Sequence, residues 1–270
     1  MTTAKKSQMT TAKTPTPTSE GVRLNRYLAM AGVGSRRACD TYITEGRVSV
    51  NGEVVTRLGT RVDPDRDEVR FDDAVVTPTT EVVYVLLHKP LRTVTTVKDD
   101  KRRRTVMDLV GADERLFPVG RLDYDTTGAL LLTNDGDLAY YLMHPRFEVN
   151  KVYRVMLDRI IRPIDLHNFR KGIDLDGRRT APCGADELRR IGNRSYLEIT
   201  LHEGRNRQIR RMFEVLGYQV EELHRLSFAG LGVADMKPGE WRELRSGEVA
   251  DLKALVARQK TDFDAAEHSS

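Results

Sequence analysis

Cysteine is scarce. Cys39 and Cys183 are the only two in 270 residues and lie far apart in sequence. They form neither a ligand pair nor a disulfide framework, which points to a reducing compartment and, most simply, a cytoplasmic protein. Long apolar runs are also missing. Val82–Leu87 and Ala129–Leu132 fall far short of the roughly 20 residues that a spanning helix needs. Lys5 and Lys6 resemble the basic start of a signal peptide, but Ser, Thr and Pro follow where an apolar segment should be. No glycine-rich phosphate loop and no metal-ligand cluster is visible.

What is present is a folding composition: 39% hydrophobic and 31% charged residues, nearly balanced in sign, with a net charge of +4. A wholly disordered chain would be poorer in apolar residues and less balanced. The termini do not hold the basic excess. Lys5, Lys6 and Lys13 against Glu20 at the front are offset by Lys260 against Asp262, Asp264 and Glu267 at the back. The excess therefore belongs to the body. It clusters at Lys101-Arg102-Arg103-Arg104 and at Arg205, Arg207, Arg210 and Arg211, and such clusters can neutralise phosphates.

The length suits one small and one medium domain. Residues 1–19, with the near-duplicates Met1–Lys5 and Met9–Lys13 and a Thr-Pro run, are expected to be a disordered tail. From residue 21 to 71, helices are expected over Leu24–Ala31 and Arg36–Glu45, the second capped by Ser35. A hairpin follows over Arg47–Val55, turning at Asn51-Gly52, and then a strand at Glu68–Phe71. Residues 72–80 read as a linker. Residues 81–258 carry strands at Val82–Leu87, Val152–Leu157 and Tyr196–Leu201, and helices at Gly136–Met143, Pro163–Lys171, Asn206–Leu216 and Gly247–Ala257. Residues 259–270 read as a flexible tail. The fold class is α+β: a two-helix and β-ribbon unit, then a domain on a mixed, largely antiparallel sheet.

The most unusual segment runs from Gly120 to Gly136, Gly-Arg-Leu-Asp-Tyr-Asp-Thr-Thr-Gly followed by an apolar run and a second turn. Loops of this kind place a carboxylate at a strand end, where it can meet a substrate. A single Asp in a loop more often just caps a turn. A calcium loop starting at Asp123 is rejected, because Asn134 stands at its twelfth position where a bidentate Glu is needed.

This segment resembles the catalytic loop of pseudouridine synthases, specifically the ribosomal RNA enzymes of the RsuA/RluB type. His88-Lys89-Pro90, Arg104–Asp108, Leu142–Pro145 through Asn150–Val155, and Glu203–Phe213 resemble that family's other blocks in the same order. Arg23 to about Arg70 resembles its RNA-binding domain of the ribosomal-protein-S4 type. The pattern departs at Leu91-Arg92, where the family usually carries Gly two residues after Lys-Pro.

The resemblance implies an isomerase that needs no cofactor. It makes Asp123 the nucleophile, Arg210 the partner that keeps the Asp123 carboxylate ionised and oriented, and Tyr153 the ring that stacks on uracil and relays a proton. Whether Asp123 attacks the sugar, adds to the base or assists glycal formation stays open. Arg121 would support the flipped nucleotide. Arg23, Arg26, Arg36, Arg37 and Arg47 would grip RNA, joined by Lys101, Arg102, Arg103, Arg205 and Arg207. The implied partner is ribosomal RNA or a ribosomal assembly intermediate, with 23S rRNA favoured over 16S, no membrane, and a monomer as the simplest state. The alternative is a ribosome-associated protein that only binds RNA. The Asp123, Tyr153 and Arg210 set argues against it, because binding alone would not require that trio.

Overall fold

The computed structural model describes residues 21–79, 81–111 and 115–268, with side chains through Thr261. The expected N-terminal tail lies outside the described residues. The chain divides between Thr80 and Glu81 into two compact units.

The first unit runs β1 Val22–Arg23, α1 Leu24–Met30, α2 Arg36–Thr44, β2 Val48–Val50, β3 Glu53–Val54, β4 Arg61–Val62, β5 Val69–Phe71 and β6 Ala74–Val75. Leu24, Tyr27 and Leu28 fall on one face of α1 and pack on Cys39 and Ile43 of α2, with Val48, Val62 and Val69 closing the core. Ser35 Oγ accepts from Ala38 N at 3.1 Å and caps α2. The β2–β3 hairpin turns at Asn51 and Gly52, with φ of 52° and 85°, both positive as a type I′ turn requires.

The stretch expected to be a linker from residue 72 onward is folded at its start. Asp72 and Asp73 make the positive-φ turn between β5 and β6. Val76 packs on the core, and its carbonyl accepts from Tyr27 Oη at 3.1 Å.

The second unit begins with β7 Tyr84–Lys89, β8 Phe117–Pro118, β9 Thr127–Thr133, α3 Gly136–Met143, a short 3-10 turn at Pro145–Phe147, β10 Lys151–Leu157 and α4 Pro163–Arg170. It continues with β11 Asp174–Leu175, β12 Arg178–Arg179, β13 Gly184–Ile191, β14 Arg194–Leu201, α5 Gln208–Val215, β15 Val220–Phe228, β16 Leu231–Gly232, β17 Trp241–Glu243 and α6 Ser246–His268. The main sheet has the order β13-β14-β10-β15-β9-β7-β17, with β16 on β15 and β8 on β9. Its pairs are antiparallel except β15 with β9, which run parallel.

Alternate residues of β7 and β9 face opposite cores. Leu86, Ala129 and Leu131 pack with α3 and α6, while Val85, Leu87, Leu130 and Leu132 pack with Val106, Val110 and Leu122. Burial on both faces explains why these strands are continuous apolar runs. By contrast, Leu197, Ile199 and Leu201 of β14 alternate with partly exposed residues and face α4 and α5.

Helix α6 passes the expected stop at Ala257 and reaches His268, so the part of the expected flexible tail from 259 to 268 is helical, and the rest lies outside the described residues. No Gly or Pro stands in residues 258–268, and Gln259, Lys260, Ala265 and Ala266 favour continuation. Among the described residues, no helix is long and apolar enough to cross a membrane.

Candidate active site

The parallel joint between β9 and β15 brings the Gly120–Thr126 loop against the sheet. It is possible because residue 128 is glycine. Gly128 has φ +115°, and a Cβ there would stand 2.1 Å from Arg225 O, closer than any side chain tolerates. The loop lies along an open cleft of about 440 Å³, whose walls include Arg121, Asp123, Tyr153, Arg207 and Arg225.

Lys89 organises this loop from below. It is fully buried at the end of β7, and its Nζ donates to Pro90 O at 3.1 Å, Asp123 O at 3.0 Å and Thr126 O at 2.8 Å. All three ammonium protons thereby have acceptors. Burial pulls Lys89 down to about 8, against the pull of the Asp123 and Asp125 carboxylates. Thr95 Oγ1 donates to Leu122 O at 2.7 Å, and Arg92 N to Tyr124 O at 2.9 Å, pinning the loop from its other side. Arg92, which stands where the family carries Gly, takes φ +57°. The departure at that position therefore leaves the backbone in the conformation that glycine favours.

The carboxylates pair differently from the expectation. Asp123 meets Arg207, with Nη1 3.8 Å from Oδ2. Arg210, expected to pair with Asp123, instead turns to Asp125: Nη2 donates to Asp125 O at 2.9 Å and lies 3.3 Å from Oδ2, and Nη1 donates to Val220 O at 2.7 Å. Arg207 also bonds both Asp125 oxygens, at 3.1 and 3.2 Å. It can reach both carboxylates because it caps α5 with φ +48°, a left-handed conformation rare for arginine. Asp125 is thus an arginine anchor and more than a turn cap. Burial alone would push its carboxyl up, but the Arg207 hydrogen bonds and the charges of Arg210 and Arg207 outweigh that and hold it below its ordinary value.

Tyr153, on β10, is part-buried and packs against the cores on both sides of the sheet. Its cross-strand partners are Ile199 and Arg225. Two cations that sequence reasoning missed stand on the same wall, Lys151 and Arg225. A period of two from Tyr153 along β10 points to Lys151. Arg225 has no such signal, because β15 pairs with β10 through register shifts.

The expected RNA contacts separate into exposed side chains and internally bonded ones. Arg121 is exposed at the cleft wall, and Arg23, Arg36 and Arg37 are exposed on the first unit's helical segment, as are Lys101 and Arg102 on their loop. Arg26 is half-buried within α1.

Four others are committed internally, Arg207 to the Asp125 carboxylate and three more, which corrects the view of them as open RNA contacts. Arg47 bonds both oxygens of Asp72 and stacks 4.6 Å from the Tyr42 ring and 4.7 Å from the Phe71 ring. Arg205 donates to the carbonyls of Arg178, at 2.7 Å, and Arg179, at 2.5 Å, and so clamps that turn. Arg103 pairs with Asp99 at 2.7 Å. Among the described residues, no group of three or more His, Cys, Asp or Glu is arranged to hold a metal ion.

Residues 83–215 match the family model for RNA pseudouridylate synthase, and residues 22–69 match that for the S4 domain. The chain is 42% identical over 244 residues to the ribosomal large subunit pseudouridine synthase B of Bacillus subtilis (strain 168), covering 89% of this chain and 99% of that one. It is 35% identical over 243 residues to the dual-specificity RNA pseudouridine synthase RluF of Escherichia coli (strain K12), covering 89% of this chain and 81% of that one. A crystal structure of a pseudouridylate synthase superposes with a TM-score of 0.62 at 29% identity, covering 86% of this chain and 99% of that one.

Proposed function

Because the chain belongs to the RNA pseudouridylate synthase family and carries an S4 domain, we propose that it isomerises a uridine of ribosomal RNA to pseudouridine, with Asp123 as the catalytic carboxylate. The name of the Bacillus subtilis relative favours 23S rRNA over 16S. The reaction breaks the C1′–N1 bond and forms C1′–C5. The C5 hydrogen leaves as a proton, and N1 takes one up.

One observation carries the reading. Asp123 and Tyr153 face one cleft, and the carboxylate is held there through Arg207 while Lys89 holds its backbone. Arg207 places a positive charge 3.8 Å from the Asp123 carboxylate and faces it across the loop. The Tyr153 hydroxyl makes no hydrogen bond to a described residue, which leaves it available to the base and to a proton in transit. Arg121, exposed at the cleft wall, is suited to support an extruded nucleotide. Arg23, Arg36, Arg37, Lys101 and Arg102 supply phosphate contacts.

The test is to incubate purified protein with unmodified 16S and 23S transcripts labelled with tritium at uridine C5, and to follow tritium release. Wild type releases tritium from one of the two. Asp123→Asn binds the same transcript with unchanged affinity and releases none. Release by Asp123→Asn at the wild-type rate removes Asp123 from the mechanism.

A further inference from the structure

Arg225 has no role in holding the catalytic loop's carboxylates. It is 2% exposed, its Nε donates to Ala129 O at 2.7 Å, and its Nη2 is buried without a hydrogen-bond partner. The ion pairs of the cleft go instead to Arg205, Arg207 and Arg210. Lys151 stands on the same wall. Its Nζ donates to Val149 O at 2.8 Å and His202 O at 3.3 Å, which uses two of its three protons. The two cations flank one ring, with Arg225 Cζ 5.0 Å and Lys151 Nζ 6.0 Å from the Phe228 centroid. Arg225 is also the cross-strand partner of Tyr153. Burial and the neighbouring Arg225 charge bring Lys151 down to about 8. A buried donor without a partner is costly, so the acceptor missing at Arg225 Nη2 belongs to whatever enters the cleft, with the third Lys151 proton beside it.

Phosphate is a poor fit for that acceptor. The RNA strand continues on both sides of a flipped nucleotide, so its phosphates stay at the cleft mouth and the base alone reaches the buried wall. Ring geometry names the atom. In a pyrimidine, C4 lies across from N1, and C2 lies across from C5. The atom deepest in the cleft is therefore a carbonyl carbon in both states of the base.

We infer that Arg225 and Lys151 form a carbonyl subsite that receives uracil O4 while the base is joined through N1, and O2 once it is joined through C5. The inference rests on the pseudouridine synthase reading. When C1′–N1 breaks, the electron pair stays with the base and its charge spreads onto both carbonyl oxygens, where fixed cationic donors act most strongly. The base then turns, C1′–C5 forms, the C5 hydrogen leaves as a proton, and N1 is protonated. The subsite meets the same group before and after the turn. Cytosine would aim an amino donor at two donors and be rejected.

The test uses a hairpin carrying the uridine located by rRNA mapping, made with uridine or 4-thiouridine at that position, since sulfur is a weaker acceptor than oxygen. Single-turnover rates and RNA affinities are measured for wild type, Lys151→Met and Arg225→Lys. Arg225→Lys can still donate to Ala129 O across the β9–β15 joint, so it serves where Lys151→Met fails to fold. For wild type, the thio substitution slows the reaction about tenfold. For either variant, the uridine rate falls about fiftyfold or more with RNA affinity within twofold, and the thio penalty shrinks to below about threefold. An unchanged thio penalty in the folded variants overturns the subsite, whether or not their rates fall, because a structural role would leave that penalty intact. If wild type converts no uridine in either rRNA, the functional reading fails first, and the two failures are distinguished.

Discussion

Arg207 stands 3.8 Å from Asp123 while bonding both oxygens of Asp125, so a single guanidinium joins the two carboxylates of the loop to the start of α5. It does so from a left-handed backbone, φ +48°. That conformation costs roughly 1 kcal/mol or more for a residue other than glycine. The two properties separate in mutants. Arg207→Gly removes the guanidinium but relieves the backbone, and Arg207→Ala removes it and keeps the strain. Both should lower the turnover rate by about 10- to 100-fold with little change in RNA affinity, and the Gly variant should melt higher than the Ala variant. Rates equal to wild type in the folded variants would show that Arg207 does not serve Asp123.

Arg92 offers a test of the loop's backbone. It is exposed and adopts φ +57°, so its side chain stabilises little and its Cβ is strained. Arg92→Gly should raise stability by about 0.5–1 kcal/mol, measurable in urea unfolding as a higher midpoint at unchanged slope. A lower midpoint would mean that the arginine side chain outweighs the strain.

Glu248 ties α6 to β17. Arg242 donates to both of its oxygens at 2.7 Å, and Arg245 N donates to Oε2 at 2.8 Å. The Arg242 hydrogen bonds, working against burial, bring Glu248 down to about 2. A carboxylate depressed in the folded state stabilises fully above its unfolded value, about 4.3, and loses that contribution as pH falls through about 2. Glu248→Gln should therefore cost about 1–2 kcal/mol at neutral pH, allowing for its partial exposure. The gap to wild type should narrow from pH 4 downward. A gap independent of pH would assign the effect to packing.

Arg36 and Arg37 sit side by side in the first turn of α2, where no acidic residue accompanies them. Two cations at the positive end of a helix disfavour the free protein and favour one bound to phosphate. Arg36→Ala with Arg37→Ala should weaken binding to rRNA fragments about tenfold at low salt and flatten the log–log salt slope by about 1.5. An unchanged slope would place the phosphate contacts elsewhere.

Much of the second unit is legible from sequence because its burial is one-sided or complete. β14 alternates, and β7 is built on the apolar run Val82–Leu87, so period and composition reveal both. β13 and β15 escape for physical reasons. β13 is an edge strand whose residues are mostly exposed, and the pairing of β15 shifts register at Val152/Tyr153 and Met156/Leu157, which disrupts the period of two.

The site divides in the same way. Asp123, Tyr153 and Arg210 are carried by local motifs. The choice of Arg207 over Arg210 as partner for Asp123 depends on one left-handed residue. Lys89 acts on carbonyls 34 and 37 residues away, a relationship that no local pattern contains.

The most direct measurement is pseudouridine mapping of 16S and 23S rRNA from cells lacking the gene, complemented with wild type or with Asp123→Ala. The account predicts one uridine, in 23S rRNA, that is unmodified without the gene, restored by wild type, and left unmodified by Asp123→Ala. Restoration by Asp123→Ala, or no change at any site on losing the gene, would contradict it.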